Sequence, residues 1–329
     1  MTRAWALAIA GVVVLVCATA SLAIGSNPIP LADVWRLLWR PDGSFAATVI
    51  HEQRLPRTLL LIAVGTALGA AGALMQSFTR NPLADPGVLG INAGASLAIV
   101  LAVALLGLTS VWAYLWFGFL GAGLGALAVY VLGSAGRSSP TPVRLALAGV
   151  AISMAITSLV QTSILSNQNA YNEFRFWASG SVEGRGMPVL LAVAGFIVVG
   201  LVVALALAPA LNALALGEDT GRALGVRVGL TRAGVMIAIA LLAGAATAAA
   251  GPIMFVGLAV PFLARAVCGP DQRWAIPFSM VAAPAGLLVA DVVARVVAAP
   301  EEVPVGVVAA ILGGPVFVLI VRRRRIEAL

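Results

Sequence analysis

The chain contains no lysine, one histidine and two cysteines in 329 residues, and only 10% of its residues are charged. Each scarcity removes a class of function. Without lysine there is no Gly-Lys-Ser/Thr phosphate loop, so this polypeptide does not hydrolyse nucleotide by a P-loop mechanism. Cys17 and Cys268 fall in separate apolar segments and neither has a Cys or His neighbour at ligand spacing, so neither a disulfide nor a metal site is expected. The single His51, beside Glu52, reads as polar surface, and no nucleophile–His–acid set can be assembled within the apolar segments; no catalytic residue is expected.

What is abundant fixes the class. Hydrophobic residues make up 61% of the chain and the mean hydropathy is +1.05, whereas a soluble domain carries about 25% charged residues. Runs of about 20 apolar residues, each able to cross a hydrocarbon core of about 30 Å, recur along the whole length. They are placed at Ala4–Ile24, Thr58–Phe78, Val88–Leu108, Val111–Leu132, Leu145–Leu165, Pro188–Ala208, Leu230–Ala250, Ile253–Val267, Ile276–Val297 and Val305–Val321. The reading is an all-α polytopic membrane protein of about ten transmembrane helices, one domain over residues 1–329. The eighth segment is short and contains Pro261. The first run is longer than a secretory signal core, so a retained helix is expected rather than a cleaved leader.

Ten spans place both termini on one side. That side receives thirteen arginines (Arg3, Arg80, Arg137, Arg144, Arg222, Arg227, Arg232, Arg265, Arg273 and Arg322–Arg325) and the other seven (Arg36, Arg40, Arg54, Arg57, Arg175, Arg185 and Arg295). The positive-inside rule then predicts cytoplasmic termini. The sequence pI near 10.9 reflects this topology and an anionic inner leaflet of membrane lipid, and nucleic acid is not an expected partner.

Five further features stand out. Asp291, with Arg295 one turn later, is the only acid inside a span and reads as a structural ion pair rather than a proton relay. Small-residue spacings such as Gly65-x-x-x-Gly69 and Gly121-x-x-x-Gly125 indicate close helix packing without assigning a seam. The polar, proline-broken turn Asn81–Asn92 interrupts two spans, and irregular backbone there must meet water, protein or a cavity. Leu211–Arg227 reads as a short amphipathic helix suited to docking, with an interfacial helix on the membrane as the alternative. The loop Asn167–Met187 interleaves Tyr171, Phe174, Phe176 and Trp177 with charge, as a helix anchor or the edge of an entrance.

Seven motifs in order make the chain similar to the FecCD-type permeases, the membrane subunits of ATP-binding-cassette importers for iron chelates, haem and cobalamin. They are RLPR (Arg54–Arg57), the GALMQ to RNPLADPGVLGINAGA block ending at Ala95, FWASGS (Phe176–Ser181) and LGEDTGRALGV (Leu216–Val226). AGPIMFVGLAVPFLAR (Ala250–Arg265), ADVVAR (Ala290–Arg295) and VPVGVVAAILGGPVF (Val303–Phe317) complete the series.

The resemblance implies the type II ABC importer permease architecture, with two such subunits around a central pathway and two cytoplasmic ATPase subunits holding ATP and magnesium. This chain then binds no cofactor of its own. It also implies an external substrate-binding protein and a ferric siderophore as substrate, with haem and then cobalamin as runners-up. A second, different permease is favoured over a homodimer. By the same transfer Gly217, Glu218, Leu224 and Gly225 dock the ATPase, Asn81, Pro82, Leu83 and Ala84 form the cytoplasmic gate, and Arg54, Arg57 and Arg295 meet acidic residues of the binding protein. Met75, Gln76, Phe176 and Trp177 are expected to face the pathway. The chain departs from the family where Phe262 replaces a common histidine, so Phe262 is read as packing, and where Gln272 stands just before Arg273. Two readings from other classes stay on the page: an intramembrane enzyme, which lacks paired catalytic groups, and an ion-coupled carrier, which has only one candidate acid.

Overall fold

The computed structural model describes residues 2–134 and 142–323; Arg137, Arg324 and Arg325 of the charge count lie outside them. The described residues form helices α1 (Arg3–Ala23), α2 (Leu31–Trp39), α3 (Phe45–Thr48), α4 (Leu55–Thr79), α5 (Ile91–Leu106), α6 (Val111–Gly133), α7 (Pro142–Ser166), α8 (Gln168–Ala178), α9 (Met187–Ala215), α10 (Glu218–Ala223), α11 (Val228–Ala250), α12 (Val256–Cys268), α13 (Gln272–Val297) and α14 (Val305–Arg323). Seven helical stretches are long and apolar enough to span a membrane, α4 running continuously with α3 from Phe45 through a π-helical turn. Three shorter apolar helices, α5, α12 and the apolar part of α14, accompany them. Together they account for the ten apolar segments read from the sequence.

α4 is the axial helix, with 78% of its apolar window buried, and α11 follows at 72%. Both consist largely of Ala, Gly and Leu, because helices in lipid gain nothing from hiding apolar surface from water and must instead approach closely enough for dense contact. The glycines show how close. A Cβ on Gly65 would lie 2.7 Å from Pro284 Cα, one on Gly69 2.2 Å from the Ser279 carbonyl oxygen, and one on Gly72 1.8 Å from that of Gly257. The Gly65–Gly69 spacing is thus the α4–α13 seam, and Gly121 and Gly125 form the seam of α6 with Gly94 and Gly90 beside α5. By contrast α7 has 17% of its apolar window buried, and α1 and α9 28% each, so these helices offer broad faces to lipid or to another subunit.

One end of the bundle gathers Arg3, the α4–α5 turn, α10 and the start of α13, tied by Arg3–Asp271, Asn212–Asp271 and Arg80–Leu214 contacts. The opposite end gathers α2, the α4 N-terminus and the α13–α14 connection, tied by Arg54–Asn27 and Arg57–Glu302. The segment Leu211–Arg227 is not one helix. Leu211–Ala215 completes α9, Gly217 breaks the chain at φ +112°, α10 occupies only Glu218–Ala223, and Gly225 turns it again at φ +84°. Leucine spacing cannot distinguish the last turn of one helix from the first of the next; the two glycines do.

Candidate functional site

A cavity of about 680 Å³ opens between α7, the 3₁₀ turn Pro86–Leu89 and the segment entering α12. Ser153, Met154, Thr157 and Ser158 of α7 form one wall, Met254, Phe255 and Leu258 another, and Asp85 and Asn92 the floor. The backbone explains the floor. Asp85 caps the 3₁₀ turn by accepting the Gly87 N–H at 2.8 Å, Gly90 takes φ +73°, and Asn92 Oδ1 accepts the Thr247 hydroxyl at 3.0 Å, fixing the turn to α11. Burial raises the Asp85 carboxyl above the usual carboxylate range, opposed by that one backbone hydrogen bond. Most α7 hydroxyls are spent on their own helix: Ser158 donates to the Met154 carbonyl and Thr162 to that of Ser158. Ser153 Oγ is without a partner among the described residues. The walls are therefore mostly apolar, with a few hydroxyls and two methionines.

This is not the wall expected from the sequence. Met75 and Gln76 are 1% and 0% exposed inside the core, Gln76 donating to the Leu258 carbonyl at 2.9 Å and accepting from Arg265. Trp177 is 3% exposed and only Phe176, at 64%, presents an open ring. As the axial helix, α4 surrounds its middle residues with neighbours on every side, so a polar Gln there ties helices together. Ser153, Thr157 and Ser158 with Met154, which share one face of α7, were not singled out from the sequence.

The turn Asn81–Ala84 follows a left-handed Arg80 (φ +50°) that ends α4. Asn81 Oδ1 accepts the Leu83 N–H at 2.9 Å and the Asn81 carbonyl that of Ala84 at 3.1 Å, so the turn is internally braced, with Leu83 exposed and Pro82 and Ala84 buried. In α10, Glu218 pairs with Arg222 and, on α11, with Arg232. Leu216 and Leu224 stay 68% and 62% exposed on either side. Gly217 and Gly225 supply the two positive φ values that set α10 off from α9 and α11.

Arg54, Arg57 and Arg295 lie together, as the sequence indicated, but face inward. Arg54, 6% exposed, donates to the carbonyls of Leu22, Ala23 and Asn27. Arg57 bonds Asp291 Oδ1 at 2.7 Å and Glu302 Oε2 at 2.6 Å. Arg295, 3% exposed, meets Asp291 Oδ2 at 2.9 Å and Ser21 Oγ at 2.9 Å. The Asp291–Arg295 pair is present, and Arg57 and Glu302 extend it into a network no sequence spacing reveals. Arg54 and Arg295 are buried and Arg57 is part-buried, so their polar contacts are spent within the chain. His51 hydrogen-bonds the Leu37 carbonyl oxygen at 2.9 Å, and Phe262 packs edge-on against Phe317 with ring centroids 6.4 Å apart.

Known proteins are similar to this chain in sequence and in fold. The chain is 45% identical over 321 residues to the ferric enterobactin transport system permease protein FepD of Escherichia coli strain K12, spanning 97% of this chain and 96% of that one. It is 39% identical over 305 residues to the Fe(3+)-citrate import system permease protein YfmD of Bacillus subtilis (93% and 90%). It is 36% identical over 311 residues to the hemin transport system permease protein HmuU of Yersinia pestis (92% of each). Its fold matches, with a TM-score of 0.85 at 25% identity, a solved inward-facing conformation of a metal-chelate type ABC transporter, over 97% of this chain and 99% of that chain. A sequence model of the FecCD transport family matches residues 13–323, and the chain belongs to that family.

Proposed function

We propose that this chain is the membrane-spanning permease subunit of an ABC importer that carries a ferric siderophore across the cytoplasmic membrane of a bacterium. The observation that carries the reading is 45% identity over nearly the whole length to a ferric enterobactin permease, joined to a cavity whose walls are methionine, phenylalanine and hydroxyl side chains. Such walls tolerate a large amphiphilic chelate, since thioether and aromatic groups adapt to its rim while hydroxyls meet its oxygens. Low affinity along the path leaves selectivity to an external binding protein. Haem is the second reading. No histidine lines the cavity, and the one histidine is bonded elsewhere, so any axial ligation of haem there would fall to the thioethers of Met154 and Met254.

The remaining assignments follow from this reading. The termini face the cytoplasm, Asn81, Pro82, Leu83 and Ala84 form the inner gate, and Gly217, Glu218, Leu224 and Gly225 seat a partner ATPase that binds ATP and magnesium. Leu216 and Leu224 supply the apolar contact. A second permease, different in sequence, closes the cavity from the side of α7. The binding protein sits on the end carrying α2 and α8, which Arg54, Arg57 and Arg295 brace from beneath rather than touch. In proteoliposomes holding the permease pair, ATPases and binding protein, uptake of radio-iron as ferric siderophore should require ATP. Uptake that persists without the ATPases on an ion gradient alone would overturn the importer reading in favour of a secondary carrier.

A further inference from the structure

α4 ends in an unusual way. Helices commonly finish on a glycine in the left-handed region, where a side chain is strained. Arg80 occupies that position here at φ +50°, and only Phe255 among the other described non-glycine residues has a positive φ. Its guanidinium leaves its own helix and donates, through Nη2, to the carbonyl oxygen of Leu214 in the last turn of α9, 134 residues away. That same carbonyl accepts the Gly217 N–H at 3.0 Å. The last turn of α9 has no basic residue of its own, so the cation that complements the negative end of this 29-residue helix is borrowed from α4.

The surroundings make the contact mechanical. A cavity of about 250 Å³ separates the end of α4 from α10, lined among others by Ser77, Thr79, Arg80, Leu214, Glu218 and Arg232. Across this space the Arg80 side chain is the bridge. On one side it is continuous with the braced Asn81–Ala84 turn, whose first N–H is held by the Gln76 carbonyl at 3.2 Å. On the other side, Leu214 is three residues before Gly217, and Glu218 fastens α10 to Arg232 of α11.

We propose that Arg80 is the positioning residue that transmits movement of α10 to the gate turn, acting through the Leu214 carbonyl. The inference rests on the importer reading, which makes α10 the ATPase seat and Asn81–Ala84 the gate. A rigid body pushed at α10 displaces the end of α9, and the Arg80 link draws the turn with it. Without this exposed side chain only the packing of α4 on α9 joins the two elements, and the ATPase cycle moves the gate turn less.

The test uses the assembled importer in proteoliposomes with Arg80→Ala, Arg80→Gly and Arg80→Lys. Arg80→Gly removes the side chain while relieving the backbone, so it separates the link from the strain. The expected result is ATPase co-purification and ATP hydrolysis within twofold of wild type for all three. Chelate uptake per ATP should fall at least fivefold in Arg80→Ala and Arg80→Gly, and recover to within twofold in Arg80→Lys, whose ammonium can still donate to a carbonyl. An environment-sensitive fluorophore on Leu83→Cys should respond to ATP more strongly when residue 80 is Arg than when it is Gly. Uptake by Arg80→Gly equal to wild type, or an unchanged Leu83 signal in it, overturns the link. Loss of ATPase association in the variants also overturns it, because Arg80 would then serve assembly. The Leu83 signal needs only nucleotide, so a failure of ferric siderophore uptake by the wild type strikes the importer reading while leaving the link decided on its own.

Discussion

The two ends of the bundle use arginine differently, one gathering its guanidinium groups around Asp291 and the other sharing Glu218 between the buried Arg232 and the exposed Arg222. At the end carrying α2, Arg54 and Arg295 are buried, Arg57 is part-buried, and their hydrogen bonds run to Asp291, Glu302, Ser21 and the carbonyls of residues 22, 23 and 27. At the end carrying α10, Arg222 pairs with Asp219 and Glu218 with its side chain 56% exposed, and a cavity separates α4 from the helix it touches. Buried charges demand a fixed geometry, because removing one partner strands the other in a medium that cannot solvate it. Exposed pairs demand little, since water replaces them readily. The first end is therefore built as a fixed platform, whereas at the second α10 is held by the Glu218–Arg232 pair and its packing on α9, with exposed contacts around it.

The contrast is broken most severely at its centre. Asp291→Ala strands Arg57 and Arg295 together in the interior and should destabilise the fold by about 3–5 kcal/mol, read as a large drop in thermal midpoint in detergent. Glu302→Gln removes one charge-assisted bond at the edge of the same network, and a loss of about 1.5 kcal/mol is expected from the same measurement. At the other end the effects shrink. Asp271 caps α13; burial raises its carboxyl, but the Asn212 hydrogen bond, the Arg273 N–H and the guanidinium groups of Arg273 and Arg3 outweigh this and hold it below the usual range. Its folded value lies under its unfolded value, so its contribution is full above about pH 4 and fades as acid titrates it. Melting curves of Asp271→Asn should therefore fall less than those of wild type as pH is lowered through that window. Arg222→Ala should change stability by no more than about 0.5 kcal/mol. A shift as large as that of Glu302→Gln would show that α10 is held as firmly as the platform.

Much of the fold was legible because lipid imposes a simple rule on composition. Ten apolar runs emerged from hydropathy, and even the short eighth, with Pro261, is helical as α12. Boundaries were less legible where helices continue past the apolar region: α9 extends to Ala215 and α4 is continuous with the helical stretch from Phe45. The site divides along the same line. Local turns were readable, since Asn81–Ala84 and the glycines flanking α10 carry their own conformational signals. The cavity wall was not, because Met75 and Gln76 look polar or bulky enough to face a path, yet α4 lies on the bundle axis, and only the tertiary arrangement shows it. The three arginines lie close together, but what Arg57 bonds was not readable, since its partner Glu302 is 245 residues away.

Arg54 adds a property of a different kind. Its acceptors are neutral carbonyls, so the cluster of Arg54, Arg57 and Arg295 against Asp291 and Glu302 keeps one net positive charge beside a small opening of about 160 Å³ that Arg54, Arg57, Arg295 and Glu302 line. Low-dielectric walls concentrate the field of such a charge into the opening, raising the local concentration of anions there. For a negatively charged solute this acts on how often it arrives and leaves how tightly it is held almost unaltered, and salt weakens the effect over a distance of about 8 Å at physiological ionic strength.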